Sequence, residues 1–400
     1  MCIRDRVYQP DGQPVVFDLQ VEAEILGCQL LWAEAAPPSV ASHPLAQNLT
    51  IPDHLPQPDE GRLPMILDVM RRMKKAVGEK TALFGLVTGP FTLASHLRGT
   101  DIFLDSVDRP DFLTDLLAYT QQVALRIADY YIEAGMDVIA IVDPLVSQIS
   151  PRHFKRFMSE PFSTVFDYLR KKEVFSSFFV CGDATKNIEV MCQTNPDSIF
   201  IDENIDMVAA KQITDRYNIT LGGNIPLTTR MLLGTQQDNM AYVIDLLDKL
   251  DHHNLVIAPG CDMPYDVPME NVIGVMRAVR ETEHTRQILK TYQSVEVDLE
   301  VTLPDYASLK RPLVEVFTID SDTCAACSYM YNAAKRAAQE LNDSIDVVEY
   351  KITRPENVAR VKKLGIAHLP CILINGELKF SSIIPSTREL LEEIAKVSHE

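Results

Sequence analysis

The chain of 400 residues is short of cations, of cysteines and of long apolar runs, and each shortage excludes something. Lys and Arg number 38 against 56 Asp and Glu, a net charge of −18. No basic run interrupts that balance, so the phosphate-binding term that dominates nucleic-acid affinity is missing and nucleic acid is not an expected partner. No apolar stretch approaches the roughly 18 to 20 residues a spanning helix needs, and the N-terminus lacks a charged-then-apolar signal pattern. The expectation is a soluble, cytoplasmic protein with no membrane partner. Eight cysteines are too sparse for a disulfide scaffold, so each is either buried filler or chemistry.

The opening MCIRDR resembles a translated sequencing-adapter remnant of the kind found at the ends of gene fragments, so residues 1–6 are read as non-native and Cys2 is given no function. On that reading VYQPDGQPVV starts inside a domain, and the fold is expected to be truncated at its N-terminus. The length suits a barrel of about 250 to 300 residues with a smaller appendage. The expected division is a barrel over 1–290, a linker over 291–310 and a second domain over 311–400.

Six continuous apolar runs, TALFGLV (81–87), DVIAIVD (137–143), VFSSFFV (174–180), DSIFID (197–202), NITLGG (218–223) and NLVIAPG (254–260), predict buried strands. Segments with apolar residues at helical spacing lie between them, such as PDFLTDLLAYTQQVALRIADYYIEAG and MAYVIDLLDKLDHHN. Alternating strand and helix implies parallel pairing. With further strand material expected in PVVFDLQV and CQLLWAE, the pattern predicts an α/β fold, a (β/α)8 TIM barrel.

Active sites of such barrels sit at the C-terminal ends of the strands. Cys181, Asp202 with Glu203, Asn224 and Cys261 all fall there, as do Thr88-Gly89-Pro90 and Asp143-Pro144. Strand ends are rich in Gly, Asp and Pro for turn reasons alone, and for any one of these residues that plainer reading comes first. The conjunction says more. Two cysteines at one rim, each beside a glycine, could converge with carboxylates on a soft divalent metal.

Residues from about 13 to 285 resemble the uroporphyrinogen decarboxylase superfamily, and within it the methylcobamide:coenzyme M methyltransferase branch. The resemblance is carried by VEAEILGC, GPFTLASHLRGT, EAGMDVIAIVDPLVSQISPRHFKRF, VCGDAT, IDENID, LGGNIP and APGCDMPYDVPMENV. It implies a zinc ion held by a His-X-Cys-Gly motif and a later Cys, activating a small thiol for attack on the methyl group of a methylcorrinoid. The donor would be carried by a corrinoid protein or be free methylcobamide. Cys181 matches the first cysteine, Cys261 the second and Glu203 the region of a carboxylate near the metal. Where the branch has histidine this chain has Phe179, so a metal site would need Cys181, Cys261 and an oxygen donor from Glu203, Asp183 or Asp202. Oligomeric state is left open, a homodimer among the options.

Two other readings stand beside methyl transfer. Uroporphyrinogen decarboxylases resemble one another in an early arginine-rich loop, an Asp in a Phe-Ser-Asp segment and a late Gly-His. This chain has EILGCQLLW without aspartate and Gly260-Cys261 at the corresponding places, and shows no cationic set for a polycarboxylate. The third reading is a non-catalytic barrel serving a thiol-disulfide redox or carrier module.

The C-terminal segment changes pattern. VEVFTIDSDTCAACSYMYNAAKRAAQEL, DVVEYKI, GIAHLPCILING and ELKFSS give the order β-α-β-α-β-β, which resembles the thioredoxin/glutaredoxin fold. Cys324 and Cys327 then form the redox pair and Pro370 takes the position of the family's cis-proline. Cys324 lies where a strand feeds a helix N-terminus, whose exposed amides favour thiolate over thiol, and Cys327 is placed to resolve a mixed disulfide. Cys28 and Cys192 read as core and Cys371 as a buried strand residue, while His252-His253 reads as a solvated turn rather than a metal pair.

Overall fold

A computed structural model describes residues 7–32, 38–293, 299–321 and 325–397. The main sheet has seven parallel strands in sequential order apart from an early hairpin. They are β1 (Gly12–Pro14), β4 (Ala82–Thr88), β5 (Val138–Val142), β6 (Phe175–Phe179), β7 (Ser198–Phe200), β8 (Thr220–Ile225) and β9 (Leu255–Pro259). Among the described residues no pairing joins β9 to β1, so the sheet is a barrel wall of seven strands where a complete barrel has eight. All six apolar runs are strands, and the long helical pattern is the helix Pro110–Glu133. Uninterrupted apolar character follows from burial on two faces: Val138–Val142 is buried at every position.

The first two segments behave differently from the sequence expectation. Of PVVFDLQV only Pro14 lies in a strand. Asp18 accepts the Gln20 amide at 2.8 Å and pairs with Arg62, turning the chain into the short helix Val21–Ile25. CQLLWAE contributes only β2 (Leu30–Leu31), which pairs antiparallel with β3 (Ser39–Val40) as a hairpin outside the main sheet.

Alternation along β6 divides its side chains between two environments. Phe178 and Val180 face the helix layer, where Phe178 stacks on Phe162 with centroids 4.4 Å apart, while Phe179 and Cys181 face the barrel interior. There they join Leu19, Leu86, Ala140 and Val142, with Phe17, Phe84 and Phe200 packed around them. The interior is an apolar, aromatic-lined plug at the level of the strand ends.

The C-terminal unit is a four-stranded sheet in the order β11 (Asp346–Lys351), β10 (Leu313–Thr318), β12 (Cys371–Ile374) and β13 (Glu377–Ser381). β10 and β11 are parallel and the other pairs antiparallel. Helices Ala325–Glu340 and Pro355–Leu364 supply the crossovers, and a further helix, Thr387–Val397, packs Leu390 and Ile394 into the core, an element that the β-α-β-α-β-β reading omits. The Leu369–Pro370 peptide is cis.

This unit rests on the loops that follow the barrel strands. Tyr329 donates to or accepts from Ser95 Oγ at 3.0 Å and, with Ile384, packs against the barrel core. Arg336 reaches Thr100 Oγ1 at 3.1 Å, and the Ile384 amide donates to Gln148 Oε1 at 3.1 Å.

Candidate functional site: a thiol pair at the barrel mouth

Cys181 follows β6 by two residues and Cys261 follows β9 by two, so each emerges at the C-terminal end of its strand. Their Cα atoms are 6.2 Å apart and their sulfurs are bonded as a disulfide across 80 residues of sequence. Glycine makes the approach feasible on both sides. Gly182 has φ +83°, and a Cβ there would meet Ser147 Oγ at 2.9 Å; a Cβ on Gly260 would come within 2.8 Å of the Glu203 amide nitrogen. The first position needs glycine for conformation and space, the second for space alone.

Asp202 holds the cysteine loop in place. Its carboxylate accepts the Gly182 amide at 2.9 Å and the Asn204 amide at 2.9 Å, and Asn224 Nδ2 donates to the Asp202 and Ile205 carbonyls at 3.1 and 2.7 Å. Burial pushes the Asp202 carboxyl above the usual carboxylate range. Glu203, next in line, is pushed up to about 8, first by burial and second by the charge of Asp202; its carboxylate accepts the Leu227 amide. Asp183 is turned outward into a local turn, accepting Thr185 Oγ1 at 2.6 Å and the Thr185 amide at 3.1 Å.

The structure therefore brings Cys181 and Cys261 together, sets Glu203 against the backbone beside Cys261, and engages the Asp183 carboxylate with Thr185. Among the described residues no group of three or more His, Cys, Asp and Glu converges on one point. A catalytic zinc centre takes three protein ligands and an open position, and the pair of sulfurs is one ligand short of that. Phe179, at the place of the missing ligand, instead packs edge-on against Phe17 at 5.8 Å and Phe200 at 6.2 Å. The residues present do not complete a zinc site.

Cys324 lies outside the described residues. Cys327 is buried near the start of Ala325–Glu340, and Pro370 directly precedes β12. Cys28, Cys192 and Cys371 are buried, and burial pushes each thiol up to about 12, which suits core filler. His252 and His253 are exposed; the ring of His252 bonds the Leu247 carbonyl and the amide of His253 donates to Asp251.

Several site residues carry no signal that sequence reasoning used. Ser147 underlies Gly182, and Gln148 Nε2 donates to Ser147 Oγ at 2.9 Å. Glu22 is buried and accepts Thr88 Oγ1 at 2.7 Å and the Thr88 amide at 3.0 Å. A charged residue inside the apolar-flanked VEAEILGC was the available hint for Glu22. Between Glu203, Asn204, Pro226 and Thr229 on the barrel and Ile366 and Leu369 on the C-terminal unit lies a cavity of 250 Å³.

Fold and site together define a parallel α/β barrel with a thiol pair at its mouth, joined to a thioredoxin-like unit. A match to the Uroporphyrinogen decarboxylase (URO-D) family spans residues 5–282, and a match to the Thioredoxin domain spans 314–395. The chain belongs to the uroporphyrinogen decarboxylase family, as a methyltransferase-like member. It is 26% identical over 264 residues to a methylcobamide:CoM methyltransferase of Methanosarcina acetivorans, covering 64% of this chain and 76% of the relative. A methylcobamide:CoM methyltransferase of Methanosarcina barkeri is 29% identical over 270 residues, covering 65% and 76%. A uroporphyrinogen decarboxylase of Nostoc punctiforme is 24% identical over 284 residues, covering 69% and 79%. Among solved structures, a methyltransferase from Methanosarcina mazei superposes with a TM-score of 0.65 at 24% identity, covering 70% of this chain and 83% of that one, a likeness of fold.

Proposed function

We propose that the barrel transfers a methyl group from a methylcorrinoid to a small thiol, with the reduced Cys181/Cys261 pair and Glu203 as its reacting centre and the C-terminal unit as a thiol-redox module. The observation that supports this is the meeting of the two cysteines at the barrel mouth, with the Glu203 backbone amide against Gly260 next to Cys261, in a chain whose relatives include methylcobamide:CoM methyltransferases. The reaction takes a thiol and a cobalt-bound methyl group to a thioether, a corrinoid that keeps the electron pair of the broken bond, and a proton. A carboxyl raised to about 8 matches a thiol donor near its own pKa, so Glu203 takes that proton. The 250 Å³ cavity that Glu203 lines suits a small acceptor, and the apolar ring of Phe17, Phe179 and Phe200 keeps water from the reacting atoms.

Decarboxylation of a polycarboxylate is the weaker reading. Buried Arg98 is already paired with Asp105 at 2.6 Å and half-buried Arg62 with Asp18 and Glu24, and the mouth is lined with Leu, Val and Phe. A barrel turned to thiol redox or carriage without methyl transfer is favoured by one observation, Phe179 in place of a ligand. Glu203→Gln decides between them. Methyl transfer predicts that kcat falls at least tenfold and loses its rise toward alkaline pH while the cysteine pair still forms. An unchanged pH profile removes Glu203 as the base.

A further inference from the structure

We propose that the cavity between the barrel and the C-terminal unit selects the methyl acceptor, admitting a small thiol whose chain is uncharged and apolar and excluding thiols that carry an ionic group. The inference rests on the methyl-transfer reading and names the substrate class of that same site. It also gives the C-terminal unit a second role, as the wall that sets acceptor specificity.

The two walls of the 250 Å³ cavity differ in chemistry. The barrel contributes Glu203, Asn204, Pro226 and Thr229, whereas the C-terminal unit contributes only apolar side chains, Ile352, Val358, Val361, Ile366, Ala367 and Leu369. Val358 and Val361 lie three residues apart on the helix Pro355–Leu364, a spacing that sets both on one face. Ile352, Ile366 and Leu369 are buried, while Thr229 and Ala367, one from each unit, are exposed, so the cavity opens to solvent beside them. Its barrel side adjoins the thiol pair through Glu203, whose amide packs against Gly260, next to Cys261.

Charge decides what such a cavity accepts. Among the described residues that line it none is a cation. The basic side chains that neighbour the lining in sequence are engaged elsewhere or exposed. Arg230, next to Thr229, pairs with Asp238 at 3.8 Å, and Lys351, next to Ile352, pairs with Asp320 at 2.6 Å. Arg360, between Val358 and Val361, donates to the Thr302 carbonyl at 2.9 Å and lies over the Tyr350 ring, while Lys362 and His368 are exposed and outside the lining. An anionic thiol entering here would give up its water for hydrocarbon and a carboxyl group, an unpaired charge in an apolar site. A cationic thiol would have to bury its charge against the same apolar wall. An alkyl chain instead replaces water on a hydrocarbon surface and gains with each methylene it buries.

The test measures binding alone, by ligand-observed NMR titration of the full chain kept reduced with a phosphine and given no methyl donor. The probes are butanethiol, mercaptoethanesulfonate and cysteamine. Butanethiol should bind at least tenfold more tightly than either charged thiol, and about fourfold more tightly than propanethiol, the effect of one buried methylene. Val361→Trp fills the cavity and should weaken butanethiol binding at least tenfold. Thr229→Lys, at an exposed position that should tolerate it, adds a cation at the opening and should raise the affinity for mercaptoethanesulfonate about threefold. Circular dichroism checks both folds, and if Val361→Trp does not fold, the ranking of the probes and Thr229→Lys decide. The proposal is overturned if a charged thiol binds the wild type as tightly as butanethiol, if no probe binds, if folded Val361→Trp binds butanethiol unchanged, or if Thr229→Lys gains nothing for the sulfonate. Selective butanethiol binding without methylation of any thiol would leave this selectivity standing and remove the methyl-transfer reading, so the two failures are separable.

Discussion

Replacing Phe179 with histidine tests whether this barrel lacks zinc chemistry for want of one ligand. Phe179 is two residues before Cys181 on the same face of β6, so a histidine there points into the mouth beside the cysteine sulfur. Without metal the substitution removes two edge-on aromatic contacts, each worth about 0.5–1.5 kcal/mol, and buries an imidazole whose missing partner costs about 1–3 kcal/mol. Reduced apo-Phe179→His should therefore be less stable than wild type by roughly 2–6 kcal/mol. Zinc at a thousandfold excess over its dissociation constant returns about 4 kcal/mol, enough to offset most of that loss. Urea unfolding of both reduced proteins, with zinc and with chelator, measures the two terms, and elemental analysis gives the stoichiometry. The expected result is one zinc per chain and a zinc-dependent shift in the variant alone. Equal zinc binding by wild type and variant would refute the reasoning, because Cys181 and Cys261 would then need no third ligand from β6.

Gly182→Ala places a Cβ against Ser147 Oγ at a left-handed position, and should lower stability by about 1–3 kcal/mol in chemical denaturation, with Gly182→Ala/Ser147→Gly recovering part of it. Asp143, at the end of β5, accepts Thr92 Oγ1 at 2.6 Å and the Phe91 amide at 2.9 Å, yet burial raises its carboxyl to about 7. A raised folded-state value means the folded chain holds a proton that the unfolded chain has released, so this contribution is full below about pH 4 and is lost as pH rises to about 7, at about 1.4 kcal/mol per pH unit. Asp143→Asn should reduce the slope of unfolding free energy against pH in that window by about one proton, and an unchanged slope would place the titration elsewhere. A short iodoacetamide pulse at neutral pH should label Cys324 before the buried Cys327; equal labelling on mass mapping would make the motif structural.

Much of the barrel could be read from the sequence because buried parallel strands must be apolar on both faces, and all six such runs are strands. The rim positions of Cys181 and Cys261 followed from strand ends alone. Side-chain direction did not follow, because it is decided by short hydrogen bonds: Thr185 turns Asp183 outward and the Leu227 amide engages Glu203. PVVFDLQV looked like a strand because five of its residues are apolar, but the partners of Asp18, Gln20 and Arg62, bend it. The docking of Tyr329 on Ser95 joins residues 234 positions apart and leaves no local pattern to find.

The central claim is that the Cys181/Cys261 pair is where the barrel's chemistry happens. Its most direct measurement is the loss of the cobalt–carbon absorbance of methylcobalamin when the reduced full chain is mixed with small thiols, compared with Cys181→Ser and Cys261→Ser under the same conditions. The account predicts thiol-dependent demethylation by the wild type and a loss of at least a hundredfold in either variant, with the thioether identified by mass spectrometry. Equal rates in wild type and both variants, or demethylation by no thiol at all in the reduced wild type, would contradict it.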